Sequence, residues 1–337
     1  MPSQRVVFAP GALARVAEEA ARLNLSRALV IATPGSGARL GSRIVEALGG
    51  RAAALHAQAV THVPRPVADA GLGAARDTKA DGLVAAGGGA AIGLAKIIAR
   101  DLGLAILALP TTYSGSETTT IWGLSDGERK STGKDARVLP RTIVYDPDLT
   151  LTLPAAVSAA SAMNAIAHCV ECLWVPDRTP LLMALATDAA RRFVAHLPRV
   201  VADGNDREAR AECLAAAWLA GVALTAGTGL QHKLAHVLGG LGLPHAETHA
   251  VILPHVTRFN LAATRDARAR LADAMGGDPA DRLATMLRSF PIPQRLSELG
   301  FDRSKADLVA REVAAMAITV PRPVQAEDVL NLLQSAY

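Results

Sequence analysis

Short apolar runs alternate with helical patterns through the first half of the chain. Five of these runs are apolar enough to form buried strands, at residues 28–32, 52–60, 82–86, 104–109 and 142–145. Glycine or proline follows several of them directly, as is usual where a strand ends. Regular alternation of buried strands with helices is typical of βαβ units, so the pattern predicts an α/β domain built on a parallel sheet.

The pattern changes near residue 152, after which no further strand-like runs occur. Long segments rich in Ala and Leu repeat apolar positions with a period of about 3.6, which predicts helices at 154–174, 180–197, 206–229, 232–240 and 262–275, with more toward the C-terminus. We therefore predict two domains, an α/β domain over residues 1–152 and an all-α domain over residues 153–337.

Composition and charge exclude several classes of protein. Lys plus Arg is 35 and Asp plus Glu is 31, so the net charge is only +4. This excess is dispersed without a basic block, which argues against a nucleic-acid partner. Half of the residues are hydrophobic and 20% are charged, so we expect a large core. Three cysteines are too few for a disulfide framework, and together with a start that lacks a signal-peptide core they favour a cytoplasmic location.

An uncharged stretch at residues 213–231 is long enough to be considered as a membrane span. Its second half is crowded with Gly and Thr, and no basic flank follows it. A buried helix within the helical domain explains this pattern better, so we expect no association with a membrane.

A glycine cluster lies between a predicted strand and a predicted helix, at Gly87, Gly88 and Gly89 followed by Ala90. Glycines at such a place let the backbone approach a ligand closely, and the helix that follows offers free N–H groups to a phosphate. The full G-x-G-x-x-G pattern of dinucleotide-binding folds is not met, because Ile92 stands where its last glycine would be. The context favours a pyrophosphate site, and the alternative is a tight turn without a ligand.

Two further loops follow predicted strands. Residues 110–117 carry five hydroxyl side chains that could bind ribose, phosphate or an amide, namely Thr111, Thr112, Tyr113, Ser114 and Ser116. The alternative for this segment is an ordinary polar loop with a helix cap. The loop at Thr33, Pro34 and Gly35 has neither an acid to bind a ribose 2′-hydroxyl nor an arginine to bind a 2′-phosphate, so it leaves NADH and NADPH equally open.

Five of the nine histidines fall within 24 residues, at positions 232, 236, 245, 249 and 255. His232 and His236 are four residues apart and share one helix face, and Asn164 and His168 repeat that spacing on another predicted helix. If the two faces meet, they build one polar pocket, which His245 would enter from the loop after the second helix. The alternative is a set of ordinary buried histidines, but so many imidazoles would need many buried partners.

The same residues decide between a metal site and a metal-free one. Three histidines and a carboxylate would make a credible site for a divalent metal. Here the fourth position is Asn164, whose neutral amide is a poor ligand, and residues 245–249 (HAETH) do not match the H-E-x-x-H metalloprotease pattern. We therefore favour a site without a metal.

Several segments together resemble the iron-containing (group III) alcohol dehydrogenase family, which shares its architecture with dehydroquinate synthase. They are AAGGGAAIGLAK, PTTYSGSE, SAMNAIAHCVE, LQHKLAHVLGG and LPHAETHAVILPH. The resemblance implies a Rossmann-like nucleotide-binding domain followed by an all-α catalytic domain, NADH or NADPH as cofactor, and a homodimer. In metal-dependent members, an Asp and three His bind the metal at positions that match Asn164, His168, His232 and His245, and His236 matches a histidine in proton transfer.

Asn in place of Asp, together with HAETH, is similar to a branch of that family that reduces a C=C bond in a small dicarboxylate during the breakdown of aromatic compounds. This resemblance predicts His236, His232, His168, His245 and Asn164 as catalytic residues. Candidates for binding the substrate carboxylates are Lys233, and Lys130 or Lys134 in the loop before the last predicted strand, with Arg65 further back. Tyr113 is a further candidate for a substrate contact. The alternatives are a metal-dependent alcohol or aldehyde dehydrogenase and a nucleotide-binding protein without catalysis.

Overall fold

The computed structural model describes residues 4–127, 129–318 and 320–337, without the side chains of residues 129 and 130. The chain divides into two compact units, Met1–Thr152 and Leu153–Tyr337. Both are built from the element types expected from the sequence. The predicted fold class, an α/β Rossmann-like domain followed by an all-α domain, is confirmed.

Six parallel strands form the central sheet of the first unit. They are β1 Arg5–Phe8, β2 Ala28–Ile31, β3 Ala52–His56, β4 Gly82–Gly87, β5 Ala105–Pro110 and β8 Thr142–Tyr145, in the spatial order β1-β8-β5-β4-β2-β3. The helices that connect them are α1 Val16–Arg22, α2 Ser36–Leu48, α3 Arg65–Asp77 and α4 Gly89–Leu102. A separate antiparallel pair consists of β6 Ile121–Asp126 and β7 Arg129–Lys134.

Both faces of the sheet are covered, which explains why its central strands are continuous apolar runs. Leu29 and Ile31 of β2 join one apolar core with residues of α3 and α4. Ala28 and Val30, which alternate with them along the strand, join a second core with residues of α1 and α2. Because successive side chains of a strand point to opposite faces of the sheet, β2 contributes residues to both cores.

The structure corrects three details of the predicted first unit. The run at 52–60 is a strand only as far as His56. The short edge strand β1 and the hairpin β6–β7 were not predicted, because four residues are too few for a pattern and the hairpin is largely polar. Lys130 and Lys134 consequently lie in β7 rather than in a loop, and the side chain of Lys130 lies outside the description.

The described part of the second unit is entirely helical. Its α-helices are α5 Ala155–Cys172, α6 Pro180–Ala202, α7 Arg207–Ala223, α8 Leu230–Gly240, α9 His245–Leu261, α10 Arg265–Met275, α11 Pro279–Ser289, α12 Ala306–Ala315 and α13 Ala326–Ala336. Residues of α8, α9, α12 and α13 share one buried apolar cluster. In the described residues, Arg207–Ala226 has the length and apolar composition of a membrane span, and most of it is buried inside the protein, as in a core helix.

Two boundaries in this unit differ from the prediction, and both position the candidate site. The predicted helix 206–229 ends at Ala223, and Gly227 turns the chain with φ 111° before α8 begins. Gly229, directly before α8, is needed for close packing, since a Cβ there would lie 2.9 Å from Glu171 Oε1. His245 was expected in a loop, but it is the first residue of α9, after Pro244.

Candidate active site

The three predicted cofactor loops lie at the carboxyl ends of adjacent strands. Thr33, Pro34 and Gly35 follow β2, the glycine cluster ends β4, and residues 111–116 follow β5. Strand β2 has β3 on one side and β4 on the other, so the order of the strands reverses between β2 and β4. Ligands of open α/β sheets bind at such a reversal. The topology therefore places all three loops where a nucleotide is expected.

The glycine cluster has the geometry of a ligand-binding turn. Gly87 has φ 143°, a backbone conformation that other residues rarely adopt. A Cβ on Gly88 would lie 2.7 Å from a side-chain carbon of Thr112, so the two loops meet only because position 88 is glycine. Helix α4 begins at Gly89, and its N-cap residue Gly88 has no side chain to bind the first N–H groups. Those groups remain available to a phosphate.

The hydroxyl loop is fixed against the glycine cluster and carries an unsatisfied group. The backbone N–H of Thr111 donates to the Gly87 carbonyl at 3.2 Å. Ser114 Oγ is buried, and no described residue is its hydrogen-bond partner. It would lie 4.0 Å from a Cβ on Gly89. A buried hydroxyl beside a phosphate-binding turn is what a bound nucleotide would satisfy, so these residues fit such a cofactor.

Lys96 of α4 fixes the end of the hydroxyl loop, a role that we did not predict. Its Nζ donates to the carbonyls of Ser116 at 2.6 Å, Thr119 at 2.8 Å and Ile121 at 2.8 Å. Burial lowers the pKa of Lys96 from 10.5 to about 7, an effect that the charge of Glu117 opposes. One helix therefore begins at the glycine cluster and also holds the hydroxyl loop. A lysine within the apolar run IGLAKIIA was the available signal.

Tyr113 and Ala90 are the remaining residues of the first unit that were predicted to bind substrate or cofactor. Tyr113 lies in the hydroxyl loop and is fully buried. Ala90 is the second residue of α4, so it contributes a backbone N–H to the helix start. A contact of Tyr113 with substrate stays a prediction.

Five histidines of the second unit form a continuous cluster across α5, α8 and α9. The ring centroids of His168 and His232 are 5.0 Å apart and the rings are stacked. His249 lies 4.6 Å from His232 and 4.7 Å from His245. His236 lies 6.0 Å from His245 and 6.2 Å from His232. The expected meeting of the two helix faces is confirmed, and it includes His249, to which the sequence analysis assigned no role.

The cluster extends from the protein interior to the surface. His168, His232, His249 and Asn164 are buried, His245 is half-buried, and His236 is exposed. Burial, followed by the charges of His232 and His245, lowers the pKa of His168 well below 6.5. The same causes in the same order lower the pKa of His249 well below 6.5. These two rings are therefore neutral at physiological pH.

Glu171 of α5 orients His232 and was missed in the sequence analysis. Its Oε2 lies 2.5 Å from His232 Nδ1, and its Oε1 accepts the backbone N–H of Gln231 at 2.7 Å. Because an ionised carboxylate only accepts, the His232 ring carries a proton on Nδ1. The spacing of His168 and Glu171, three residues apart on one helix, was the available signal.

Several buried polar atoms of this cluster have no hydrogen-bond partner among residues 4–127, 129–318 and 320–337. They are Asn164 Oδ1, His168 Nδ1, His232 Nε2 and His249 Nε2. Native proteins rarely leave such groups unsatisfied, and a bound ligand is the usual explanation when several occur together. These atoms favour a ligand site over a set of packed core histidines.

The residues present do not fit a divalent metal as a set. His232 is oriented by a carboxylate as metal-bound histidines are. However, the described residues contain no group of three or more His, Cys, Asp or Glu side chains placed to hold a metal ion. Asn164 is neutral, and Glu171 is bonded to His232 and Gln231. Glu171 could balance the charge of a buried dication only from behind His232, and not as a direct ligand.

Comparison with known proteins defines the class to which this fold and site belong. The model of the iron-containing alcohol dehydrogenase family matches residues 2–147, and the model of the C-terminal part of the Fe-containing alcohol dehydrogenase family matches residues 158–337. The chain belongs to the iron-containing alcohol dehydrogenase family and has its fold.

Its relatives include enzymes of one particular activity. The chain is 43% identical to a maleylacetate reductase of Pseudomonas aeruginosa, over 99% of this chain and 96% of the relative. It is 44% identical to maleylacetate reductase 2 of Cupriavidus pinatubonensis, over 99% and 94%. Among solved structures, maleylacetate reductase from Agrobacterium tumefaciens superposes with a TM-score of 0.94 at 39% identity, covering 99% of this chain and 96% of that one. Maleylacetate reductase from a Rhizobium species gives 0.95 at 38%, covering 100% and 97%.

Proposed function

We propose that this chain uses NADH or NADPH to reduce the C=C bond of maleylacetate, giving 3-oxoadipate, without a metal ion. Relatives that are 39–44% identical over nearly the whole chain carry this activity in their names, and the chain is an oxidoreductase of that type. The observation that carries the proposal is the buried cluster of imidazoles beside Asn164, in which the described residues form no donor set of a metal enzyme. A role in the breakdown of aromatic compounds is part of the proposal.

The cofactor site is proposed on the three loops of the first unit. The free N–H groups at the start of α4 suit a pyrophosphate, and the hydroxyls of Thr111, Thr112, Ser114 and Ser116 suit ribose and amide groups. A bound nicotinamide supplies the hydride. The backbone of Thr33, Pro34 and Gly35 leaves the choice between NADH and NADPH open, because it presents no charged side chain.

The reaction explains why a neutral amide suits position 164. Maleylacetate has a ketone conjugated to the C=C bond, so a hydride added to the remote alkene carbon drives negative charge onto the ketone oxygen as an enolate. Reducing a simple aldehyde gives a more basic alkoxide, for which a metal Lewis acid helps most. Imidazole N–H groups can stabilise an enolate, whereas a carboxylate at position 164 would repel it.

The proton that completes the reaction is assigned to His232 or His236. Glu171 holds Nδ1–H of His232 and stabilises the imidazolium that forms when Nε2 takes up a proton, as the acid of a catalytic triad does. His232 can then give that proton to the enolate carbon. His236 is exposed one turn later and can exchange protons with solvent.

The two substrate carboxylates require a cation, and Lys233 is the candidate within the second unit. It follows His232 on α8, is half-buried, and forms no ion pair among the described residues. Lys134 is exposed on β7. Arg65 lies 3.5 Å from Asp126 in an ion pair. Both are therefore weaker candidates than Lys233 for binding the substrate carboxylates. Asn164, His168 and His245 complete the proposed substrate contacts.

The proposed assembly is a cytoplasmic homodimer that binds a small dicarboxylate, with no nucleic acid and no membrane partner. Three cysteines are free and buried, which suits a reducing compartment. The dispersed charge, with a net value of +4, supports the absence of a nucleic-acid partner.

The proposal predicts a clear substrate preference. Purified protein should oxidise NADH or NADPH with maleylacetate at a kcat/KM within the usual enzymatic range of about 10⁴–10⁸ M⁻¹s⁻¹. Under the same conditions simple aldehydes should be reduced far more slowly, because their alkoxide product is not stabilised. The loss of absorbance of the reduced cofactor measures both reactions. Rapid reduction of aldehydes with no reaction of maleylacetate would favour the metal-dependent alternative and refute the proposal.

A further inference from the structure

His249 lies between His232 and His245 in the histidine cluster and has no role so far. It is the fifth residue of α9 and is fully buried. Its ring contacts both His232 and His245, at 4.6 and 4.7 Å between centroids. Its Nε2 is one of the buried nitrogens without a partner in the described part of the chain. A buried nitrogen without a hydrogen-bond partner either lowers the stability of the protein or binds a ligand.

Gln231 fixes which nitrogen of His249 carries the proton. The Gln231 Nε2 lies 3.0 Å from the carbonyl oxygen of His249 and 3.2 Å from its Nδ1. A carbonyl only accepts hydrogen bonds, so the amide NH₂ end, and not the amide oxygen, faces His249. The second N–H of that amide donates to Nδ1. Nδ1 is therefore an acceptor, and the proton of the neutral ring is on Nε2.

His232 has the opposite arrangement. Glu171 accepts from its Nδ1, so Nε2 is the nitrogen that carries the lone pair whenever the His232 ring is uncharged. Gln231 and His232, two consecutive residues at the start of α8, thus decide which ring nitrogens in the pocket carry protons. Gln231 orients His249, and Glu171 orients His232. One buried Nε2 offers a proton and the neighbouring one offers a lone pair, and neither has a partner among residues that the structure describes.

From this geometry we infer that His249 is a further catalytic residue, whose Nε2–H donates a hydrogen bond to the ketone oxygen of the substrate as that oxygen becomes an enolate. The inference rests on the proposed function. A donor that is fixed in a buried site before the substrate arrives stabilises developing charge without reorganisation. His232 then serves proton transfer, so the two rings divide the chemistry between them. Gln231 acts as a positioning residue through His249.

Two substitutions at position 249 test this role. His249→Leu keeps a similar apolar volume but removes the donor, and should lower kcat with maleylacetate by roughly 10²–10³-fold, the effect of losing one oxyanion donor. The dissociation constant of the reduced cofactor should not change. His249→Gln places an N–H near the position of the imidazole Nε2 and should recover at least about tenfold of the loss. A rise in KM with unchanged kcat would contradict the inference, because it would assign His249 to ground-state binding.

An independent measurement covers the case in which the variants fold poorly. The ¹⁵N NMR spectrum of histidine-labelled wild-type protein distinguishes a protonated ring nitrogen from an unprotonated one. We expect protonated Nε2 in His249 and protonated Nδ1 in His232, with the ring signals assigned by their correlation with the backbone signals of the wild-type protein. Protonated Nδ1 in His249 would overturn the inference. Failure of the wild type to reduce maleylacetate would instead refute the proposed function and leave this tautomer assignment standing.

Discussion

Turnover of maleylacetate is expected to fall by about 10²–10⁴-fold when His232 is replaced by Ala, the range that general acid catalysis contributes. His232 is one of the two rings to which the proton transfer is assigned, and the carboxylate of Glu171 orients it. The substitution also removes the stacked neighbour of His168, at 5.0 Å. Binding of the reduced cofactor should change little, because the proposed cofactor loops belong to the first unit. Steady-state kcat, together with a titration of cofactor binding, measures both effects.

A matched control separates this effect from the general loss of a histidine. His196 lies on α6, where its ring contacts Arg199 at 3.4 Å. His196→Ala should keep kcat within about twofold, as do most surface changes away from a site. If His232→Ala kept kcat within the same twofold, His232 would have no part in proton transfer, and His236 alone would remain for that role.

Replacing Glu171 with Gln is expected to lower turnover by up to about 10²–10⁴-fold, the contribution of the proton transfer that Glu171 supports through His232. The amide keeps the shape of the side chain, but it cannot stabilise an imidazolium as a carboxylate does. Its oxygen can still accept the N–H of Gln231, so the start of α8 should be preserved. The loss should therefore appear in kcat and in its dependence on pH, with thermal stability nearly unchanged.

Cys169→Ala is the control for this change, since it alters a buried side chain on the same helix whose thiol donates to its own helix backbone, at the Ala165 carbonyl. The double variant of Glu171→Gln and His232→Ala should be no slower than His232→Ala alone, because Glu171 acts through His232. Additive losses would show that Glu171 contributes to turnover by another route.

Much of the fold could be predicted because its signals are local. Each buried strand of the first unit is a short apolar run followed by Gly, Pro or another loop residue, and these runs became β2, β4, β5 and β8 with small changes at their ends. The change to helices near residue 152 was equally visible in the sequence. The edge strand β1 was missed because the four residues RVVF are too few to show a strand pattern, and they form a strand by pairing with β8.

The candidate site could be predicted only in part. The spacing of Asn164 with His168 and of His232 with His236 identified two helix faces, and the faces do meet. Spacing could have shown that Glu171 shares a helix face with His168, but it could not show which ring Glu171 or Gln231 orients. Glu171 and Gln231 reach His232 and His249 from elsewhere in the sequence, so their role depends on how α5, α8 and α9 pack. His245 was placed in a loop because nothing in the pattern showed that α9 begins directly after Pro244.

The central claim is that a pocket lined by imidazoles supports the reduction of maleylacetate by the nicotinamide cofactor without a metal ion. The most direct test is the turnover of purified protein after exhaustive treatment with a chelator, with iron and zinc measured in the same sample. We predict full activity at well below one metal ion per chain, and no increase when iron or zinc is added back. Activity that disappears with the metal and returns in proportion to one bound ion per chain would contradict the account.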